Sequence, residues 1–316
     1  MNPSDFSAMR GFNYMPGYSA HLQYTWTNFD RTSWQREVPY ALRFGSNTLR
    51  VWLDWSAYLS IGDKMLDHVE TALSICDQNG LKMMPVLFNR WTDAKYPAGG
   101  VSTENLLITP SDWSAYWPYV EALLKRFGSD ERITMWDLCN EPQACNEPSP
   151  QAPNCAAHLA EREYSWLAAV AAWMREGSQI PITIGTAVGD NVRYFADLCD
   201  VISFHPYTQV AGQMKGMCER HVAFAREVNK PLICTEFCVG SFNDAERGEL
   251  ARENIETLEE YEIGWQAWQL CSGRFVTGSR ERTDGNAVRA NEGYMPFVLP
   301  DGSTRPGHEW LVRSKV

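Results

Sequence analysis

The sequence predicts an α/β chain folded as a single (β/α)8 barrel, the TIM-barrel architecture, across residues 1–316. Three observations lead there. Short apolar runs bounded by turn formers alternate with helical patterns from end to end, which is how a parallel sheet with crossover helices reads. The runs number eight, the count that closes a ring rather than leaving an open sheet. No G-x-G-x-x-G or phosphate-loop motif follows any of them, which argues against an open nucleotide-binding sheet. The length of 316 residues suits one barrel with extended loops, or two small domains. No linker, charge run or low-complexity segment marks a second domain.

The elements follow in order. Arg10–Tyr14 reads as the first strand, Ser33–Phe44 as a helix and Asn47–Leu53 as the second strand. Lys64–Asn79 is a helix by its spacing of Met65, Leu66, Val69, Leu73, Ile75 and Cys76, and Asn79-Gly80 supplies a left-handed C-terminal cap. Leu81–Phe88 is strand three, and Ser111 is placed to cap a helix running to Phe127. Arg132–Cys139, Pro181–Ala187, Asp200–Phe204, Pro231–Glu236 and Gly264–Leu270 are strands four to eight. Helices over Ala156–Glu176, Val192–Leu198, Gln213–Asn229 and Ala245–Tyr261 separate them, and a last helix over Arg305–Val316 closes the ring. The long connections, Pro16–Thr32, Asn89–Pro110, Pro142–Cys155 and Cys271–Thr304, all follow strands. In a barrel those loops gather on one face and shape a cleft.

Composition narrows the function classes. Hydrophobic residues make up 44 %, enough for a full core. A formal charge of −11, with no Lys/Arg run, argues against nucleic acid or an anionic membrane as partner. No apolar stretch approaches the roughly 20 residues that span a bilayer. Met1 to Arg10 lacks the basic start and apolar core of a signal peptide. The nine cysteines are an odd count without metal-ligand spacing. Cys76, Cys139, Cys199, Cys234 and Cys271 fall in apolar patterns and read as buried free thiols, whereas Cys145 and Cys155 flank a Pro-rich loop that a disulfide would close. Together these features point to a reducing cytoplasm.

The chemistry sits at the strand ends. Glu141 follows Trp136-Asp137-Leu138-Cys139-Asn140, and Glu236 follows Leu232-Ile233-Cys234-Thr235. Side chains at the C-terminal ends of barrel strands converge on one pocket, so these two carboxylates face one substrate bond. One can protonate a glycosidic oxygen while the other attacks the sugar carbon. Arg50, Asn140, His205, Tyr207 and Trp268 occupy other strand ends. In that order, Asn140-Glu141-Pro142, His205-Pro206-Tyr207, Glu236 and Trp268 resemble the clan A retaining glycoside hydrolases, and glycoside hydrolase family five, the cellulase-like family, most of all. The resemblance runs from Arg10-Gly11-Phe12-Asn13-Tyr14 to Trp268.

The resemblance implies roles. Glu141 would be the general acid/base and Glu236 the nucleophile. Asn140 would bind the sugar 2-hydroxyl. Arg50 and Tyr207 would hold Glu236 ionised and oriented, His205 would sit by the acid/base or the sugar, and Trp268 would floor the reactive subsite. The chemistry fits these residue types. Burial beside a second carboxylate raises a carboxyl's pKa, as an acid needs, and a cation with a phenol donor favours the charged form, as a nucleophile needs. Indoles stack on sugar faces, and there are 13 tryptophans. The sequence departs from the family at the end of strand three, where Asn89 stands in place of the usual histidine. That puts the subsite for the third and fourth sugar hydroxyls, and so the sugar, in question.

Other readings are bland. Asp137 shares the parity of Glu141 and points inward as a structural partner for Arg50, for which Asp54 is the other choice. Trp91 and Tyr14 end strands and are read as substrate contacts; Trp52, Trp55 and Trp265 either line subsites or pack the core. No His pairs with Asp or Glu at metal-ligand spacing, and no G-x-S-x-G elbow is present. The expectation is a retaining β-glycosidase with a carbohydrate substrate and neither metal nor cofactor. The alternatives are a catalytically silent carbohydrate-binding barrel, a transglycosidase sharing the same intermediate, and a metal-dependent barrel lyase or isomerase.

Overall fold

The computed structural model describes residues 6–89, 110–142, 157–187, 191–280 and 293–313. Eight parallel strands close into a barrel in sequence order. They are β1 (Arg10–Asn13), β2 (Thr48–Trp52), β3 (Lys82–Asn89), β4 (Trp136–Asn140), β5 (Ile182–Thr186), β6 (Ile202–Phe204), β7 (Leu232–Cys234) and β8 (Gly264–Ala267). The ring is sealed by β1 against β8, with Arg10, Gly11 and Phe12 opposite Trp265, Gln266 and Ala267. The helices are α1 (Leu22–Thr27), α2 (Arg31–Glu37), α3 (Trp55–Ile61), α4 (Asp63–Gln78), α5 (Trp117–Phe127), α6 (Ala157–Gly177), α7 (Asn191–Phe195), α8 (Gln213–Glu227) and α9 (Asp244–Glu260).

Local chemistry sets several boundaries. Helix α4 buries Met65, Leu66, Val69, Ala72, Leu73, Ile75 and Cys76 on one face, and Gly80 takes the left-handed conformation expected after it, with φ 68°. Asp54 caps α3, its Oδ1 accepting from the Ala57 amide at 2.7 Å, so Asp54 is a helix cap rather than a partner of Arg50. The segment Ser33–Phe44 is not one helix. It breaks into α2 and a 3-10 stretch, Val38–Phe44, because Pro39 has no N–H to continue the ladder. Ser111 lies within a separate 3-10 turn, Pro110–Ala115, and α5 starts at Trp117 with Pro118 in its first turn.

The expected closing helix over Arg305–Val316 is absent from the described part of that segment, which holds a single 3-10 turn, Glu309–Leu311. Pro306 and the left-handed Gly307, at φ 80°, interrupt it. Arg305 is buried instead, its guanidinium donating to Asp244 Oδ1 at 2.7 Å and to the Tyr294 carbonyl at 2.8 Å. The cysteines at 76, 139, 199, 234 and 271 are buried free thiols, as are Cys218 and Cys238. Cys145 and Cys155 lie outside the described residues.

Inside the barrel the two ends differ. Near the N-terminal strand ends, Phe6, Met9, Met84, Met135, Val201 and Ile233 form an apolar cluster. Toward the C-terminal ends the interior turns polar, with Asn13, Arg50, Asp137, Asn140, His205 and Glu236 all buried.

Candidate active site

Arg50 is the hub of that polar layer. It points inward from the middle of β2 and is 1 % exposed. Its Nε and Nη2 donate to Asp137 Oδ2 at 3.0 and 2.8 Å. Nη1 donates to Glu236 Oε2 at 2.8 Å and to Asn13 Oδ1 at 2.7 Å. Nη2 also donates to Asn140 Oδ1 at 2.7 Å. Burial works against the charge, but Asp137 and Glu236 outweigh it and raise the guanidinium's pKa, so Arg50 stays a cation.

Asp137 and Asn140 reach Arg50 from the same strand only because β4 is irregular. Its register against β5 shifts between Asp137 and Asn140. Leu138 and Cys139 both pack in the outer core, and Asn140 turns inward where strict alternation would place Cys139. Glu141 follows with a left-handed backbone, φ 51°, its amide donating to the Gly185 carbonyl at 2.7 Å. A non-glycine residue there carries a conformational cost of order 1 kcal/mol.

Glu236 lies two residues beyond β7. Its Oε1 accepts from the Tyr207 hydroxyl at 2.6 Å, and its Oε2 from Arg50. Burial raises the Glu236 pKa; Glu141 adds to that, while Arg50 and the Tyr207 hydrogen bond oppose it. The donors therefore limit a desolvation cost that still wins. The Tyr207 phenol is pushed well up by burial and by the two glutamates, so it remains a donor. His205, just past β6, sets Nδ1 2.7 Å from Glu141 Oε1 and 3.7 Å from Glu236 Oε2. Burial, with Arg50, brings the imidazole down to about 4, against opposing Glu236 and Asp137, so it is neutral at pH 7.

Oxygen atoms of Glu141 and Glu236 and a ring nitrogen of His205 all lie within 4.8 Å of one another. Three such donors are the beginning of a cation site, but here the adjacent Arg50 guanidinium already supplies positive charge to Glu236. What this arrangement can do chemically is place two carboxyl groups on one bond.

Residues 8–274 match the family model for Cellulase (glycosyl hydrolase family 5). The chain belongs to glycosyl hydrolase family 5. Among curated proteins, the probable mannan endo-1,4-β-mannosidase A of Aspergillus flavus is 23 % identical over 171 residues, 45 % of this chain and 44 % of that protein. Its Aspergillus niger counterpart is 20 % identical over 266 residues, covering 74 % and 65 %. The chain thus spans less than half the length of the first relative and just under two thirds of the second. Among solved structures, an exo-β-1,4-mannosidase from Opitutaceae bacterium strain TAV5 superposes with a TM-score of 0.73 at 17 % identity, covering 96 % of this chain and 58 % of that one. A GH5_18 protein from Streptomyces cattleya in complex with Manb1-4GlcNAc gives 0.74 at 16 %, covering 96 % and 79 %. At these identities the superpositions speak for the fold.

The fold brings together Glu141, Glu236, Arg50, Asn140, His205 and Tyr207 directly. Asn89 joins through its Oδ1, which accepts from Asn140 Nδ2 at 3.1 Å. Trp268 stands just past β8, stacked on Trp52 at 4.6 Å with an interplanar angle of 29°. Its Nε1 donates to Thr277 Oγ1 at 3.1 Å, and Met15, Leu22, Phe275 and Met295 pack in the same cluster, with Tyr207 against it. Tyr14 is a correction. It lies on the outer side of β1, its hydroxyl donating to Glu37 Oε2 at 3.0 Å and its ring edge-on to Trp34 at 4.8 Å. Phe12 and Tyr14 share that outer face, and Gly11 and Asn13 the inner one. Trp91 lies outside the described residues.

Three residues escaped sequence reasoning. Asn13 bridges Arg50 and the Thr235 carbonyl, the latter at 2.9 Å from its Nδ2. Its signal was the alternation just described. Thr235 bonds His205 Nε2 at 2.9 Å. Gly185 on β5 leaves the room: a Cβ there would sit 2.7 Å from His205 Nε2 and 3.0 Å from both Arg50 Nη2 and Asp137 Oδ2. No sequence pattern announces that approach.

Proposed function

We propose that this enzyme is a retaining β-glycosidase that cleaves β-1,4-linked mannose-containing oligosaccharides by double displacement. The observation that carries the mechanism is the spacing of Glu141 and Glu236, whose oxygens come within 4.8 Å through the His205 cluster. Double displacement wants carboxyl groups about 5–5.5 Å apart, whereas a water-inserting single displacement wants roughly 6.5–9.5 Å. Glu236 attacks the anomeric carbon as Glu141 gives its proton to the departing glycosidic oxygen. Glu141, now a carboxylate, takes a proton from water as that water displaces Glu236 from the sugar. Arg50 and Tyr207 aim the Glu236 oxygens and carry part of the charge that returns to them in the second step. Asn140 spends one amide hydrogen on Asn89 and has a second to offer the 2-hydroxyl. Trp268 lies under the reacting sugar. The names of the mannan-cleaving and mannosidase relatives support mannose as the sugar.

The test combines stereochemistry with trapping. Proton NMR of the first-formed product from β-1,4-mannooligosaccharides and Manβ1-4GlcNAc is expected to show the β-anomer. A 2-deoxy-2-fluoro-β-mannosyl fluoride is expected to label Glu236. An initial α-anomer, or a label elsewhere, sinks the mechanism. Cleavage of gluco- but not manno-configured substrates sinks the sugar assignment alone.

A further inference from the structure

The hydrogen-bond network does not stop at the carboxylates. Behind His205, on the side of the ring away from Glu141, Nε2 meets Thr235 Oγ1 at 2.9 Å. Thr235 Oγ1 is in hydrogen-bond contact with Ser203 Oγ. His205, Thr235 and Ser203 are all buried. Among the described residues, Thr235 Oγ1 is the one hydrogen-bond partner of Ser203 Oγ. The charged and titratable groups facing the imidazole are Arg50 from β2, Asp137 from β4, Glu141, Tyr207, and Glu236 beyond β7. Gly185 on β5 contributes only backbone.

Counting hydrogens gives this chain a direction. The neutral ring carries one N–H. Suppose it is on Nε2. That N–H donates to Thr235, Thr235 donates to Ser203, and the Ser203 hydrogen is left in the barrel without an acceptor. The Nδ1 lone pair would then face Glu141 Oε1, which repels it unless that oxygen carries the proton. The opposite order satisfies every hydrogen. Ser203 donates to Thr235, Thr235 to Nε2, and Nδ1–H to the carboxylate. Buried donors without acceptors are costly, so the second order prevails.

We infer that Ser203 and Thr235 are positioning residues that hold His205 in its Nδ1–H tautomer, with that N–H donated to Oε1 of Glu141. Oε1 is then an acceptor in both half-reactions, and the proton that Glu141 transfers resides on its other oxygen. This consequence rests on the acid/base reading of Glu141; the tautomer itself does not.

The experiment reads the tautomer directly. The full chain, labelled with 15N-histidine, is recorded in long-range proton–nitrogen correlation spectra at neutral pH, with His205 identified by its loss in His205→Gln. A protonated-type Nδ1 and an acceptor-type Nε2 are expected; a proton on Nε2 overturns the inference. The pH profile of kcat/KM adds a readout that packing alone would not move. Thr235→Val removes the donor that polarises the ring, so Nδ1–H stabilises the Glu141 carboxylate less and the alkaline limb moves up, with kcat/KM down roughly 3- to 10-fold. Thr235→Ser keeps the hydroxyl and is expected to restore both. An unmoved limb in Thr235→Val, or no restoration by serine, overturns the positioning role. Glu141→Ala that still turns over natural substrate would defeat the acid/base assignment while leaving the tautomer result standing.

Discussion

At the N-terminal ends of the strands, Phe6, Met9, Met84, Met135, Val201 and Ile233 fill the barrel with apolar side chains. At the C-terminal ends the same strands carry Asn13, Arg50, Asp137 and Asn140, and just beyond others lie His205 and Glu236, nearly as deeply buried. The apolar end gains free energy from every methylene it hides. The polar end spends it, because buried charges rarely recover their desolvation even when well paired. Stability and chemistry are thus separated along the barrel axis, and substitutions at the two ends should fail in different ways.

Removing Arg50 tests the polar end hardest. Arg50→Met leaves Asp137 and Glu236 as buried carboxylates without their cation. We expect kcat/KM to fall by more than about a thousand-fold, with a stability loss of about 3–5 kcal/mol. The pH profile carries a sign. Burial already raises Glu236 and Arg50 opposes it, so the acidic limb of residual activity must move further up. An acidic limb that stays put would show that Arg50 does not tune Glu236.

Gly185→Ala drives a methyl to within 2.7 Å of His205 Nε2. Activity should drop on the order of 100-fold through displaced geometry, with about 1–3 kcal/mol of overpacking cost seen in urea unfolding. Tyr207→Phe removes a single donor to Glu236. It should cost roughly 10- to 100-fold in kcat/KM and, because a buried carboxylate oxygen loses its donor, about 1–3 kcal/mol in urea unfolding; an unchanged kcat/KM would show that this bond does not orient Glu236.

Met135→Ala is the converse experiment. It should lose about 2–5 kcal/mol of stability and leave kcat/KM of the folded enzyme within about twofold, as measured below the unfolding transition. The smallest effect is expected from Tyr14→Phe, which loses its bond to Glu37 on the outer side of β1. About 1 kcal/mol of stability and no change in KM are the outcome; a raised KM would return Tyr14 to the substrate site.

Acid lability follows from two buried histidines. Burial holds His205 near 4 against an ordinary value of 6.5, and His308 near 3. An unfolded chain takes up protons on both histidines first, so stability present above pH 6.5 is lost as pH falls toward those folded values. Denaturant midpoints should decline through that window, and His308→Gln should flatten the decline.

Much of this was legible beforehand. Eight apolar runs separated by helical patterns sufficed for the barrel, because hydrophobic periodicity is local and survives without knowledge of neighbours. The paired glutamates, Arg50, Asn140, His205, Tyr207 and Trp268 could be placed at one end of the barrel because they stand at run ends, where barrel topology gathers them. The helix-breaking effects of Pro39 and Pro306 were also written in the sequence but were overlooked.

Other features belong to the tertiary structure alone. The irregularity in β4 turns Asn140 inward in place of Cys139 and leaves Glu141 left-handed. The amide of Gly185 donates to Asp137 Oδ1 at 3.1 Å, and its missing side chain makes space for Arg50 and His205. Thr235, just past β7, meets His205 Nε2 and is itself met by Ser203 of β6. The sequence by itself determined which residues arrive at the C-terminal end of the barrel, since that depends on periodicity and order. Only the tertiary structure decided which atoms meet there, because a bulge or a missing Cβ moves a hydrogen bond by ångströms without changing the pattern of apolar and polar residues.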